Sequence, residues 1–336
     1  MLKKADLDHR PLGKEAGAQR VSIWRMCLGL HPDEATFSRR GFLPTARTGQ
    51  LELVGKTFID GYNSALSVAA TQELLELSTR HGSRAGFFLE GAAMGSAVRD
   101  AFGGSRLAGL LDLVQEEQPF LSAVGAGWAM ARLPWRRRAI LASLPSLLVP
   151  LAFDGWGFHD VYFSPRRLAS GARGAVSALW GGAVSPAWDQ GAGRAMWFVH
   201  GGDAVALASA ADRIPLGRRA DIAAGLGLAA TYTGTGCANE NTLAALQRSF
   251  ADERQWLAQG AAFGLEARAR AHMLTPESVQ SALILTGRDP DALRALVQAA
   301  LPGRLSDRRD GPESGCARYV TWRRDLAAAL AEEMSA

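Results

Sequence analysis

Residues 125–129 read GAGWA, and 100 residues later residues 225–229 read GLGLA. Glycines two residues apart resemble the start of a dinucleotide-binding loop. Neither stretch has the third glycine or the later acidic residue of that fingerprint, so a Rossmann site is not predicted. Small residues at this spacing instead allow two helices to approach closely. The pair therefore indicates a fold of tightly packed helices.

Two more pairs of strings occur in the same order along the chain. FIDGY at residues 58–62 resembles FDGW at 153–156, and FFLEG at 87–91 resembles WFVHG at 197–201. Repeats of this length usually represent duplicated supersecondary units. Chance similarity is the alternative, because the chain is rich in Ala and contains 37 Gly. Duplication predicts two halves around a pseudo-two-fold axis, with the paired motifs facing each other.

The expected organisation is a polar N-terminal arm at residues 1–36, followed by one large domain at 37–336. The repeat halves are placed at about 57–135 and 150–235, with a degenerate third unit at 236–301. A chain of 336 residues is long enough for such a core.

Helix signals dominate the secondary-structure prediction. Three sites place a capping side chain before a proline in a first helical turn: Ser164-Pro165, Thr275-Pro276 and Asp289-Pro290. Three short apolar runs could be strands or buried helix starts: residues 50–53, 86–89 and 196–199. The predicted class is mainly α, with room for a few short strands.

Composition narrows the class of protein. With 48% apolar and 21% charged residues, the chain should fold. Its net charge of +4 is accompanied by no run of basic and aromatic residues beyond Arg136–Arg138, so no nucleic-acid partner is predicted. Cys27, Cys237 and Cys316 are odd in number and widely spaced, which excludes a disulfide framework and suits a reducing compartment. With no signal-peptide pattern, a cytoplasmic location is expected.

The apolar segment at residues 139–153 follows three arginines. It is too short to span a bilayer. One interpretation is a buried helix that ends at a proline. The other is an interfacial segment anchored by the arginines, which would give peripheral membrane association.

The densest group of chemically active side chains is DGWGFHDVYF, at residues 154–163. Carboxylates among aromatic rings lose solvation, which raises their pKa and lets a carboxyl act as a general acid near neutral pH. Asp154 and Asp160 are therefore candidate catalytic residues, and His159 could set their protonation. The alternative is structural, with the aspartates at helix caps or turns.

Two further sites carry charged groups. Residues 188–194 read WDQGAGR, in which Asp189 and Arg194 could form a buried ion pair or Arg194 could hold an acidic substrate. Glu90 follows an apolar run and is expected to begin a helix, where the helix dipole favours a carboxylate. The repeat aligns Glu90 with His200, so the two could form an acid/base pair.

Metal and cofactor signals are weak. His200 and Asp203 provide two possible ligands without a third, so no metal site is predicted. The sequence has no GxSxG elbow, Walker loop or HExxH motif, and no redox cofactor is implied.

Seven strings together resemble a known family: residues 61–66, 90–94, 127–133, 154–163, 189–198, 218–221 and 225–229. They are similar, in order, to the UnbL-type bacterial family of enediyne polyketide gene clusters, domain-of-unknown-function family 1702. The resemblance covers roughly residues 37 to 300 and weakens from Cys237 onward. It implies a part in making or processing a polyketide-derived core. It supplies no catalytic residues, and members outside enediyne clusters leave the product class open.

These observations give two hypotheses. The leading one is a biosynthetic enzyme that isomerises or cyclises an apolar, polyene-like or polyketide-derived substrate by acid/base chemistry. Its catalytic groups would be Asp154, His159, Asp160 and Glu90, with Arg194 orienting Asp189. The substrate cavity would be lined by aromatic residues: Trp156, Phe158, Tyr162, Trp188, Trp197 and Phe198. The second hypothesis is a non-catalytic protein that shields such a molecule or docks on a polyketide synthase or membrane-bound partner. The oligomeric state stays open.

Overall fold

The computed structural model describes residues 22–169, 172–236, 240–307 and 312–334. The α-helices in these ranges are α1 Ile23–Leu28, α2 Phe37–Arg40, α3 Thr48–Ser67, α4 Gln72–Thr79, α5 Ala85–Asp100, α6 Arg106–Val114, α7 Pro119–Arg132, α8 Arg137–Ala142, α9 Val149–Phe163, α10 Ala172–Trp180, α11 Ser185–Val199, α12 Ala204–Ala211, α13 Leu216–Tyr232, α14 Glu240–Ser249, α15 Arg254–Arg270, α16 Pro276–Thr286, α17 Pro290–Ala299 and α18 Pro312–Met334. Short 3₁₀ turns join several of them.

The mainly α prediction is confirmed, and the described residues contain no β-strand. The three runs considered as short strands, residues 50–53, 86–89 and 196–199, are helical and lie in α3, α5 and α11. Runs of only four residues are too short for their hydrophobic period to distinguish a strand from a helix. The caps at Thr275 and Asp289 are formed as predicted, and Thr275 makes a reciprocal capping box with Ser278.

The odd-numbered helices from α3 to α15 form a row in which each contacts the next through glycine. A Cβ added to Gly91 of α5 would lie 1.9 Å from the Phe58 carbonyl oxygen of α3. A Cβ on Gly61 of α3 would lie 1.9 Å from the Phe88 carbonyl oxygen of α5. No side chain fits at such distances, so glycine is required for the two backbones to touch.

The same contact recurs along the whole row. The glycines that meet the preceding helix follow one another at intervals of 30 to 36 residues: Gly91, Gly125, Gly155, Gly191, Gly225 and Gly260. The GxG spacing of α7, α9, α11 and α13 arises because the first glycine contacts the helix before and the second contacts the helix after. The offset of 100 residues between the GAGWA and GLGLA strings therefore equals three steps along the row. The pseudo-two-fold relation between halves stays a prediction.

The row is curled, so that helices distant in sequence meet. Arg47, just before α3, donates from Nε to the carbonyl oxygen of Thr235 at 2.8 Å, beyond the end of α13. Arg268 of α15 donates from Nη1 to the carbonyl oxygen of Ser83 at 3.2 Å, just before α5. Phe87 of α5 packs edge-on against Tyr232 of α13. The curl gives the row an interior into which α5, α7, α9 and α11 all project side chains.

The N-terminal end of the chain and the apolar segment differ in part from the sequence-based expectations. Of the expected arm, residues 1–21 lie outside the described residues. Residues 22–36 include α1 and pack on α3, where the Leu30 amide donates to Asn63 Oδ1 at 2.9 Å. The segment at 139–153 is mostly buried, as the first interpretation expected, but Pro150 lies in the first turn of α9 and does not end a helix.

None of the helices in the described ranges combines the length and apolar character needed to cross a bilayer. Contact of residues 139–153 with a membrane surface stays a prediction. Cys27 and Cys316 are free thiols, and Cys237 lies outside the described residues.

Candidate functional site

The interior of the curled row contains a cavity of about 350 Å³. Its volume lies in the range of small-molecule sites. Seven aromatic residues line it: Phe58, Phe87, Trp128, Phe158, Tyr162, Phe163 and Phe198. Exposed His31 and Arg132 line one end, which is the mouth, whereas Glu90, Met94 and Arg194 are buried and line the other. The cavity thus combines an apolar wall with one buried charged end.

Glu90 provides a carboxyl at the inner end of this cavity. It is the sixth residue of α5, so the expectation that it begins a helix is wrong. The residue is only 3% exposed, and its side chain accepts a hydrogen bond from Trp128 Nε1 at 3.1 Å. The nearest cation is Arg194, whose Nη2 lies 3.9 Å from Glu90 Oε1. At that distance the pair makes no direct hydrogen bond.

Arg194 is held on its other side by Asp154. The Arg194 Nη1 group donates to Asp154 Oδ1 in a close contact, and Gln190 Nε2 donates to Asp154 Oδ2 at 2.7 Å. Tyr319 of α18 completes this network through a 3.0 Å hydrogen bond with Gln190. Both charged groups are therefore paired and bonded, as buried ions must be.

Burial and pairing set the protonation of Glu90 and Arg194. Burial raises the pKa of Glu90 to about 7, which the charge of Arg194 and the Trp128 hydrogen bond only partly oppose. Burial also acts to lower the pKa of Arg194, but the carboxylates of Asp154 and Glu90 outweigh it and raise that pKa. Arg194 therefore stays charged, and Glu90 is the group that can exchange a proton near neutral pH.

A second, smaller cavity of about 50 Å³ lies on the other side of Arg194. Asp154, Gln190 and Tyr319 line it, with mostly apolar neighbours. Arg194 is the charged residue common to both cavities. Asp154, proposed from the sequence as a catalytic group, thus lines the small cavity and not the large one.

His159 and Asp160 lie behind the cavity wall and line neither cavity. His159 Nε2 accepts from Arg132 Nε at 3.0 Å, and burial lowers the pKa of this imidazole. Asp160 pairs with Arg167 at 2.6 Å. The sequence placed both in one site with Asp154. The structure separates both from Asp154, because side chains five and six positions apart on a helix point in different directions.

The expected ion pair between Asp189 and Arg194 is not formed. Asp189 is fully buried and pairs with Arg173 at 2.5 Å and Arg218 at 2.7 Å, whereas Arg194 pairs with Asp154. Five residues of α-helix separate the two side chains by about 140° around the axis, so they face opposite sides of α11.

The aromatic residues named from the sequence fall into two groups. Phe158, Tyr162 and Phe198 line the large cavity. Three tryptophans are buried elsewhere: Trp156 under the Arg137 guanidinium, Trp188 against α9, and Trp197 with its Nε1 donating to Thr235 Oγ1 at 2.9 Å. These three have packing roles and touch neither cavity.

Sequence reasoning missed several cavity residues, among them Trp128 and Arg132. For Trp128, a signal exists in the glycine pattern. The residue after the second glycine of GxG is Trp128 in α7, Phe158 in α9 and Arg194 in α11, and all three line the large cavity. Because each GxG pair sets the rotation of its helix against both neighbours, the next residue is directed to the same side each time.

Within the described ranges, no group of three or more His, Cys, Asp or Glu side chains could hold a metal ion.

The comparisons with known proteins give a family. No curated protein and no solved structure matches the chain. The family model described as "Protein of unknown function (DUF1702)" matches residues 20–330, so the chain belongs to this family.

Proposed function

We propose that the protein is an enzyme that moves a proton on an apolar substrate, with Glu90 as the catalytic acid and base. The observation that carries the proposal is a carboxyl, with a pKa of about 7, at the buried end of an aromatic cavity. A group that titrates near the working pH is equally able to give and to take a proton.

The proposed reaction is an isomerisation or cyclisation without net change in composition. The protonated Glu90 carboxyl gives its proton to one carbon of a double bond, which leaves a positive charge spread over the conjugated chain. The resulting Glu90 carboxylate then removes a proton from another carbon. The double bonds have moved, and the acid is regenerated. For cyclisation, a second double bond attacks the cation before that proton is lost.

The surroundings of Glu90 favour such a cation. Trp128 and Phe158, with ring centroids 5.2 Å apart, both line the cavity, and aromatic rings can stabilise positive charge. Arg194 would oppose it, but the charge of Arg194 is balanced by Asp154 in direct contact. With Glu90 protonated, the charged cluster at the inner end has no net charge.

The substrate class follows from the lining and from the family resemblance. An aromatic cavity suits a hydrocarbon chain, and the resemblance to proteins of enediyne polyketide clusters suggests a polyene of polyketide origin. A cytoplasmic location beside a polyketide synthase or a membrane-bound partner belongs to the same proposal.

A labelling experiment tests this function and does not require the substrate to be identified first. An organic extract of cells that carry the gene is incubated with the protein in D₂O, and mass spectrometry identifies compounds that gain deuterium on carbon. We expect labelled compounds with the wild-type protein and none with Glu90→Gln.

Glu253→Gln is the matched control, because Glu253 is also buried and pairs with Arg219 at 3.0 Å, but lines neither cavity. It should keep the labelling. Equal labelling by wild-type protein and Glu90→Gln, or none with either, would contradict the proposal.

A carrier that shields an apolar molecule is the second candidate, since the cavity alone supports binding. This function needs no proton transfer. If Glu90→Gln retains a co-purified ligand while the wild-type protein labels nothing in D₂O, the carrier function is favoured.

A further inference from the structure

The mouth of the large cavity holds an arginine without a carboxylate partner. Arg132 is the last residue of α7 and is exposed to solvent. Its Nε donates to His159 Nε2, and its guanidinium lies 4.8 Å from the centre of the Phe163 ring. Among the described residues, no carboxylate oxygen lies within 4 Å of it, and its two Nη groups make no hydrogen bond.

The neighbouring charges do not neutralise Arg132. Glu34 also lines the cavity, but it is bound by Arg40 in a close contact and by Arg39 at 3.3 Å. His31 pairs with Asp33 at 3.3 Å. The mouth therefore has an excess of positive charge, and Arg132 is the cavity-lining cation that accounts for it.

The two ends of the cavity differ in what they can bind. At the inner end, Arg194 is occupied by Asp154 and faces Glu90, so it has no free charge for a ligand anion. At the mouth, the planar fork of Arg132 can donate two parallel hydrogen bonds, the geometry that a carboxylate accepts. One unpaired guanidinium balances one negative charge, which favours a carboxylate over a doubly charged phosphate.

The wall between the two ends suits a hydrocarbon chain. Trp128 lies one helical turn before Arg132, about 6 Å along the axis of α7, and its indole nitrogen contacts Glu90. A chain bound at Arg132 by its head would therefore run along the Trp128 ring towards Glu90. Phe58, at a centroid distance of 4.5 Å from Trp128, continues that surface.

We propose that the ligand is a long-chain carboxylic acid, held at the mouth by Arg132 with its apolar chain directed inward to Glu90. This inference deepens the proposed function, on which it rests for the use of the large cavity. It adds the chemical class of the ligand and its orientation.

Binding of a fluorescent polyene acid tests the inference. cis-Parinaric acid and its methyl ester are titrated separately into wild-type protein, and the fluorescence increase gives a Kd for each. Loss of a charge-assisted bidentate contact should weaken binding about tenfold or more. We therefore expect the wild-type protein to bind the acid at least about tenfold more tightly than the ester.

Arg132→Met should remove this preference and leave ester binding unchanged, which also shows that the variant has kept its cavity. Arg137→Met is the matched control. Arg137 is likewise stacked on a ring, that of Trp156 at 4.0 Å, but lies outside the cavity. It should retain the preference for the acid.

The inference is overturned by equal binding of acid and ester to wild-type protein, by failure of the acid to bind, or by an Arg132→Met variant that still prefers the acid. These outcomes are independent of catalysis. Acid binding through Arg132 without deuterium labelling would remove the enzymatic function only, whereas Glu90-dependent labelling of uncharged compounds alone would remove the present inference only.

Discussion

Replacing Glu90 by Gln should remove a pH-dependent part of the free energy of unfolding. Burial raises the pKa of Glu90 in the folded protein from 4.5 to about 7. The protonated carboxyl therefore favours the folded state below pH 4.5, and this contribution is lost as pH rises through 7. At 1.36 kcal/mol per pKa unit, the full loss is about 3 kcal/mol.

Most of this loss, about 2.5 kcal/mol, falls between pH 5 and pH 8. Gln has no such titration, and it can still accept from Trp128 while Arg194 keeps Asp154. Urea unfolding of wild-type protein and Glu90→Gln at four pH values in this range gives the difference in free energy of unfolding. We expect Glu90→Gln to gain stability relative to wild type by about 2.5 kcal/mol from pH 5 to pH 8. A difference that stays constant within about 0.5 kcal/mol would refute the assignment of a raised pKa to Glu90.

Two further predictions concern the packing and the charged cluster. Gly91→Ala should destabilise the protein by about 3 kcal/mol or prevent folding, because its Cβ would lie 1.9 Å from a backbone oxygen. Gly174→Ala, in α10 with open space around it, should stabilise by about 0.5–1 kcal/mol; thermal unfolding of both variants checks this, and similar effects would contradict the packing described. Asp154→Asn should cost about 3 kcal/mol at neutral pH, since it leaves Arg194 without its close partner. It should also lower the pKa of Glu90. The free energy of unfolding of Asp154→Asn is compared, as a function of pH, with that of the double variant Asp154→Asn, Glu90→Gln, and the difference should change at a lower pH than in the wild-type comparison. An unchanged pH would mean that the two carboxyls are not coupled.

The fold class was predictable from the sequence because a helix cap is formed by residues that are close together in the sequence. Thr275 and Asp289 each precede a proline, and each begins a helix as expected. The central helices were harder to assign. A helix such as α9 is buried on nearly every side, so it has no polar face and no helical period to detect. Its glycines also lower intrinsic helix propensity, although here they permit the contacts that hold it.

For the candidate site, the sequence indicated several of the residue types but not which residues meet in space. The sequence indicated aromatic rings, buried carboxyls and Arg194, and Phe158, Tyr162 and Glu90 do line one cavity. It could not show that Glu90 meets Trp128 and Arg194, because these lie on three helices up to 104 positions apart. His159 and Asp160 were predicted as site residues because they lie close to Asp154 in the sequence. In the curled row, only one face of each helix borders the cavity.

The glycine contacts between helices also limit how the shape of the large cavity can change. Since successive backbones already touch, the helices cannot move closer, and any larger residue at a contact glycine would push them apart. The dimensions of the large cavity therefore depend on the side chains that line it, among them Trp128 and Phe158, which follow second glycines. A smaller residue at either position would lengthen or widen the cavity while the helix spacing stays fixed. Single replacements at these positions can thus change the shape of the cavity while the row of helices stays intact.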